Sequence, residues 1–118
     1  MTDTARIRLA LDYIIEALDD LETLTGGRDR ASFLQDRIAQ RAVERCLEVI
    51  SEASRKIPAP MQAAHPEIPW RKVAGIGNVL RHDYDEIDLG VIGTAATVEV
   101  APVRAAVRAM LAEIEGKQ

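Results

Sequence analysis

The chain has 118 residues, a length that ordinarily makes one domain and lets folding bury roughly two-thirds of the surface an unfolded chain exposes. With 47% apolar and 29% charged residues it has neither the composition of a disordered tail nor that of a membrane protein, and no stretch approaches the roughly 20 apolar residues that span a bilayer. A formal net charge of −4 excludes a general nucleic-acid coat, which needs a dense positive surface, so any RNA must be held by a local patch.

Thr2 or Asp3 can cap a first helix, in which Ile7, Ala10, Leu11, Ile14, Leu18 and Leu21 fall on one face of a 3.6-residue wheel. Thr25-Gly26-Gly27 stops it, because paired glycines supply the left-handed backbone a helix end favours. A second long helix is expected from about Asp29 to Lys56, with Leu34, Ile38, Ala42, Cys46, Val49, Ile50 and Ala53 as a broad apolar stripe. Pro58 and Pro60 end that helix, and the proline-rich stretch up to Pro69 leaves room only for a short turn around Met61 to Ala64. From Trp70 the pattern turns helical again, with Trp70, Val73, Gly77 and Leu80 on one side and Asn78 with His82 on a neighbouring face. After a polar stretch from Asp83 to Asp88, the last helix carries Val100, Val103, Val107, Met110, Leu111 and Ile114, with Pro102 in its first turn or at a kink in a longer helix starting near Asp88. Val91-Ile92 and Thr97-Val98 are the only β-like pieces, and both are too short to build on.

Four or five amphipathic helices joined by short turns specify an all-α, up-and-down helical bundle formed as one domain over residues 1–118. Ala42, Ala53, Gly75 and Gly77 offer small side chains where helices can approach closely. A bundle this thin leaves an apolar seam that a second copy can cover, so a homodimer with twofold symmetry is expected.

Most familiar chemistries find no support. One cysteine and two widely separated histidines have no zinc spacing, and Gly75-Ile76-Gly77 lacks the third glycine and the preceding strand of a dinucleotide loop, so no metal and no cofactor is expected. Ser32, Ser51 and Ser54 have no sharp strand-to-helix turn to expose them as nucleophiles. Cys46 lies on the apolar stripe as a small core residue, and His65 reads as a loop histidine. A single cysteine and the lack of a basic, apolar leader at the N-terminus point to a reducing, cytoplasmic setting. Between Arg28 and Arg45 the cations Arg28, Arg30, Arg37, Arg41 and Arg45 outnumber Asp29, Asp36 and Glu44, either as a phosphate-binding patch or as a solvated face laced with ion pairs.

That leaves Gly77-Asn78-Val79-Leu80-Arg81-His82-Asp83-Tyr84-Asp85. An imidazole titrating near neutrality can take a proton from one oxygen and return it to another, while a guanidinium beside it can hold a phosphate by paired hydrogen bonds. Those two abilities suffice to cleave RNA without a metal, the ribose 2′-hydroxyl attacking its own phosphodiester. Read without any family in view, His82 is more readily a capping or core histidine.

In this segment the chain resembles the HepT-like branch of the HEPN superfamily, whose signature R-x(4–6)-H is often extended to R-N-x-x-x-H-x-Y. The matching residues are Asn78, His82 and Tyr84. The run from Arg41 to Ile50 resembles the family's second long helix, and Pro66-Glu67-Ile68-Pro69-Trp70-Arg71 its lead into the motif helix. The resemblance implies a HEPN-like dimer of helical bundles, an endoribonuclease toxin with its RNA site between protomers, and a minimal nucleotidyltransferase antitoxin that AMPylates the motif tyrosine, here Tyr84. Gly77 stands where the motif arginine is expected, with Arg81 as the nearest substitute, and Gly93 stands where relatives often carry tryptophan. Two functions follow: an endoribonuclease using His82 and Arg81, or a catalytically degenerate module that binds a nucleotidyltransferase without cleaving RNA.

Overall fold

The computed structural model describes residues 2–82 and 100–116, and gives the backbone alone at Arg30, Val79, Arg81 and His82. Among the described residues there are six helices and no strand: α1 (Asp3–Thr25), α2 (Arg30–Leu34), α3 (Arg37–Ser54), α4 (Ala59–Ala63), α5 (Trp70–His82) and α6 (Val103–Gly116). Four of these are long, two are single turns, and the all-α bundle expected from the periodicity is what forms.

α1 starts where the Thr2 hydroxyl accepts the amide of Ala5 at 3.1 Å. It ends with the Gly26 amide on the Glu22 carbonyl at 2.8 Å, followed by Gly27 in the left-handed region at φ 73°. Its buried positions Ala10, Leu11, Ile14, Ala17, Leu18 and Leu21 reproduce the expected face.

The expected second helix is instead two helices, α2 and α3. The aspartates decide the break. Asp29 accepts the Ser32 amide at 2.7 Å and caps α2, while Asp36 accepts the Ala39 amide at 3.0 Å and caps α3. A second N-cap inside the run restarts the helix and shifts its face. The buried set of α3 is therefore Ala39, Val43, Cys46, Leu47, Ile50, Ser51, Ala53 and Ser54. Ile38, placed on the apolar stripe by spacing alone, is 77% exposed, and Leu34 is also exposed. Gln40 covers the end of α2 by donating from Nε2 to the carbonyls of Phe33 and Leu34. α3 stops at Ser54, just short of Pro58.

The proline-rich connection holds the single turn α4, one or two residues earlier than expected, and it is tied at both ends. Gln62 Nε2 donates to the Ser54 carbonyl at 3.0 Å, and the Trp70 indole N–H reaches the carbonyls of Gln62 and His65 at 3.0 and 3.1 Å. The entry angle of α5 is thus fixed by its own first residue. Val73, Ile76, Gly77 and Leu80 face inward on α5. α6 buries Val103, Ala106, Val107, Met110 and Ile114, with Val100 fully buried just ahead of it and Pro102 immediately before its first residue. A start near Asp88, the Val91-Ile92 and Thr97-Val98 pieces and Gly93 lie outside the described residues.

Contacts fix the directions. The first half of α1, from Ile7 to Tyr13, lies beside Val49 and Ala53 at the end of α3 and Lys56 just past it, so these helices run antiparallel. Arg104 at the start of α6 meets Asp19 at 2.6 Å and Glu22 at 3.5 Å near the end of α1, so that pair is antiparallel too. Ser51 and Arg55 of α3 meet Gly77 and Ala74 of α5 in reversed order, which gives the same sense again. The result is up-and-down, with α3 central between α1 and α5 and one aliphatic cluster running through the four long helices.

Candidate functional site

Helix α5 carries Asn78, Arg81 and His82, and the fold anchors that helix against α3. Asn78 is exposed on it. Arg81 and His82 form its last two residues, described by their backbone, while Asp83, Tyr84 and Asp85 lie outside the described residues. Since α5 is antiparallel to α3, its final turn is carried toward the N-terminal half of α3, which holds Arg37, Arg41 and Glu44.

The anchor is Ser51, only 1% exposed. Its hydroxyl donates to the Ala74 carbonyl at 2.6 Å and accepts the Gly77 amide at 3.0 Å, so both polar capacities are used inside the interface. The Arg55 guanidinium adds a second donor to the Ala74 carbonyl at 2.7 Å, and the Ser54 hydroxyl returns to the Ser51 carbonyl at 2.7 Å. Gly77 itself is buried. The position where the motif arginine was expected therefore faces α3, and its amide is bonded to a serine. Screening the serines only as nucleophiles missed this role. The available signal was the pair Ser51 and Ser54 on an otherwise apolar face, with Gly77 in the helix opposite; Gly75, also expected at a close approach, has open space beside it.

Arg30's side chain lies outside what is described, and the other arginines between Arg28 and Arg45 divide into two groups. Arg28 is held by Asp36 at 3.2 Å and by the Ser32 hydroxyl at 2.9 Å, and Arg45 meets Glu48 at 3.4 Å. These match the ion-pair alternative. Arg37 and Arg41 are exposed on α3. Asp36 has its carboxyl held below the usual range mainly by the Ala39 amide, against some desolvation and with help from Arg28. Glu44 is pushed the other way, chiefly by burial and then by Glu48, with Arg41 opposing.

The remaining candidates are structural. Cys46 is free and buried, and burial raises its thiol above the ordinary value, which leaves it protonated and unreactive. His65 contacts Glu67 at 3.3 Å in the α4–α5 connection. Among the described residues no group of three or more His, Cys, Asp or Glu side chains could hold a metal ion, and no helix is long and apolar enough to cross a membrane. A groove of about 830 Å³ runs between α1 and α3, lined by apolar residues such as Leu9, Tyr13, Val49 and Pro58 and by charges of both signs, Arg6, Arg45 and Lys56 with Asp3 and Glu52. None of its described lining residues comes from α5.

Comparison with known proteins points in one direction. The sequence pattern of the family described as "Ribonuclease HepT-like" matches residues 14–110, which include all of α3 and α5. A protein of Methanocaldococcus jannaschii named as a candidate RNase is 32% identical over 111 residues, covering 94% of this chain and 92% of its own length. A second from the same organism, also named as a candidate RNase, is 31% identical over 111 residues, 94% and 96% of the two chains. A Thermococcus cleftensis protein named as a probable ribonuclease HepT is 42% identical over 82 residues, 70% of this chain and 74% of its own. No solved structure matches the chain.

Proposed function

Because the chain belongs to the HepT-like ribonuclease family, we propose that it is the toxin of a toxin–antitoxin pair, a metal-independent endoribonuclease acting through His82 and Arg81. The observation that carries this reading is the family match over residues 14–110, a span that includes α5 and with it Asn78, Arg81 and His82.

The chemistry asked of these residues is modest. His82 accepts the proton of a ribose 2′-hydroxyl, the freed oxygen attacks the adjacent phosphorus, and the P–O5′ bond breaks as O5′ regains a proton. The products are a 2′,3′-cyclic phosphate and a 5′-hydroxyl. Arg81 offsets the charge that builds on the phosphate, with Asn78 in support. Arg37 and Arg41 on the neighbouring half of α3 supply local positive charge that an acidic chain otherwise lacks.

The proposal includes a homodimer, supported by Leu9 and Tyr13, which are 41% and 50% exposed beside an apolar groove. It includes a minimal nucleotidyltransferase partner that transfers AMP to Tyr84, adding bulk and negative charge two residues from His82 where a substrate phosphate must sit. The 118 residues form one domain in this reading, in a cytoplasmic setting that suits the free Cys46.

The test is cleavage of RNA by the purified protein in the presence of EDTA. Activity should be lost in His82→Ala and strongly reduced in Arg81→Ala, and co-expression with the partner should add one AMP in the wild type and none in Tyr84→Phe. A second reading rests on Gly77, buried against Ser51 with no guanidinium to offer. Under it the chain is an interaction module, cleavage is absent, and complex formation with the nucleotidyltransferase survives His82→Ala.

A further inference from the structure

We infer that Ser51, with Arg55 as a second prong, is a positioning residue that sets the rotation and axial register of α5 and thereby aims the motif at its C-terminal end. This rests on the proposed role of His82, but its geometric part stands independently of catalysis.

A serine in a helix interior most often bonds back to a carbonyl of its own helix, and Ser54 does this with Ser51. Ser51 instead reaches across to α5 and occupies two groups of one turn, the Ala74 carbonyl and the Gly77 amide. In a regular helix the first accepts from residue 78 and the second donates to residue 73. The hydroxyl thus sits against the hydrogen-bond ladder of α5 immediately before Asn78. Gly77 is itself buried at this contact, with its amide on the Ser51 hydroxyl.

Apolar packing alone tolerates small rotations of one helix against another, because it is non-directional. A hydroxyl that donates to one backbone atom and accepts from another three residues on does not. It fixes both the angle around the axis and the position along it. Residues further along a rigid helix inherit that setting: each step turns about 100° and rises about 1.5 Å, so His82 lies roughly 7.5 Å beyond Gly77. Arg55 reinforces the same carbonyl from the exposed side with a charged donor.

The experiment compares Ser51→Ala, Ser51→Thr and Arg55→Ala with the wild type and with Leu47→Ala, a core variant that keeps the hydroxyl. Backbone amide resonances and hydrogen exchange at residues 74–82 are recorded by NMR, and kcat and KM are measured on a defined RNA. Ser51→Ala should shift the amides from Gly77 to His82 and speed exchange at Gly77. It should lower kcat by roughly ten- to a hundredfold, as misplacement of a catalytic group by about 1 Å does, with KM changed little. Ser51→Thr should restore both, and Arg55→Ala should shift the same amides less. Leu47→Ala should lose stability without that pattern. If Ser51→Ala does not fold, Arg55→Ala alone decides the matter through the amide shifts. The inference is overturned if the amides of residues 77–82 stay in place in Ser51→Ala or Arg55→Ala, or if kcat falls only in proportion to the folded fraction. Should the wild type cleave no RNA, the nuclease reading fails while the amide shifts still test the clamp.

Discussion

Replacing Leu47 with alanine removes a side chain that is 0% exposed at the middle of the helix shared by both neighbouring packing interfaces. Buried Leu→Ala changes cost about 2–5 kcal/mol, and a site walled by two helices on either side cannot collapse easily, which places this one at about 3–4 kcal/mol. A chain of this size is stabilised by roughly 6–18 kcal/mol in total, at about 0.05–0.15 kcal/mol per residue. The loss is therefore a large share of the whole. With an unfolding entropy of about 2.1 cal/mol/K per residue, or roughly 0.25 kcal/mol/K for the chain, the Tm should fall by about 12–16 °C. Scanning calorimetry reads the midpoint, and urea unfolding followed by circular dichroism reads the free energy at an m-value that should not change. Ile38→Ala is the matched control, since that side chain is 77% exposed and its removal should change stability by no more than about 0.5 kcal/mol. A loss below about 1 kcal/mol for Leu47→Ala, or a larger one for Ile38→Ala, would refute the placement of α3 and the helix break at Asp36 that sets its face.

Other outcomes are as definite. Gly75→Ala should raise stability by about 1 kcal/mol in a thermal melt, because an added Cβ meets nothing within 4 Å in a helix interior, whereas Gly26→Ala should lower it, because the same atom would sit 2.6 Å from the Glu22 carbonyl oxygen. Glu44 has its carboxyl raised in the folded state, so the folded protein binds that proton more tightly than the unfolded chain and stability falls as the pH rises through the carboxylate range. Glu44→Gln should remove that part of the pH dependence and raise the Tm slightly at neutral pH. Asp36 has the opposite sign: its contribution is present above the ordinary carboxylate pKa and is lost on acidification, which an acid titration of Asp36→Asn against wild type should show as a missing step. Cys46 should react with a thiol reagent only at the rate of local or global opening, so its labelling should accelerate sharply near the Tm.

The fold was legible wherever local signals agreed. In α1 the threonine cap, the 3.6-residue face and the glycine stop all say the same thing, and the buried positions follow from them. The region from Asp29 to Lys56 misled because Leu34, Ile38 and Ala42 continue the helical spacing across the break. Spacing counts apolar residues, but the two aspartates cap helices, and a cap hydrogen bond outweighs one more exposed isoleucine. Trp70 illustrates a third case: its place in the motif helix could be read, but not its indole N–H bonding back into the proline-rich connection, which depends on chain direction in three dimensions. Ser51 belongs to the same class. Nothing in a linear pattern pairs it with Ala74 and Gly77, since the contact forms only after two helices have packed. Of the candidate site, the sequence shows the order Asn78, Arg81, His82, Tyr84, and the fold adds the clamp that holds the helix beneath the first three.

The most direct measurement is the chemistry of the ends produced when purified protein meets RNA with EDTA present, read by mass spectrometry of the fragments. The account predicts 2′,3′-cyclic phosphate and 5′-hydroxyl ends in the wild type and uncut RNA with His82→Ala. Intact RNA in the wild-type reaction, or fragments ending in 3′-hydroxyl and 5′-phosphate, would contradict it.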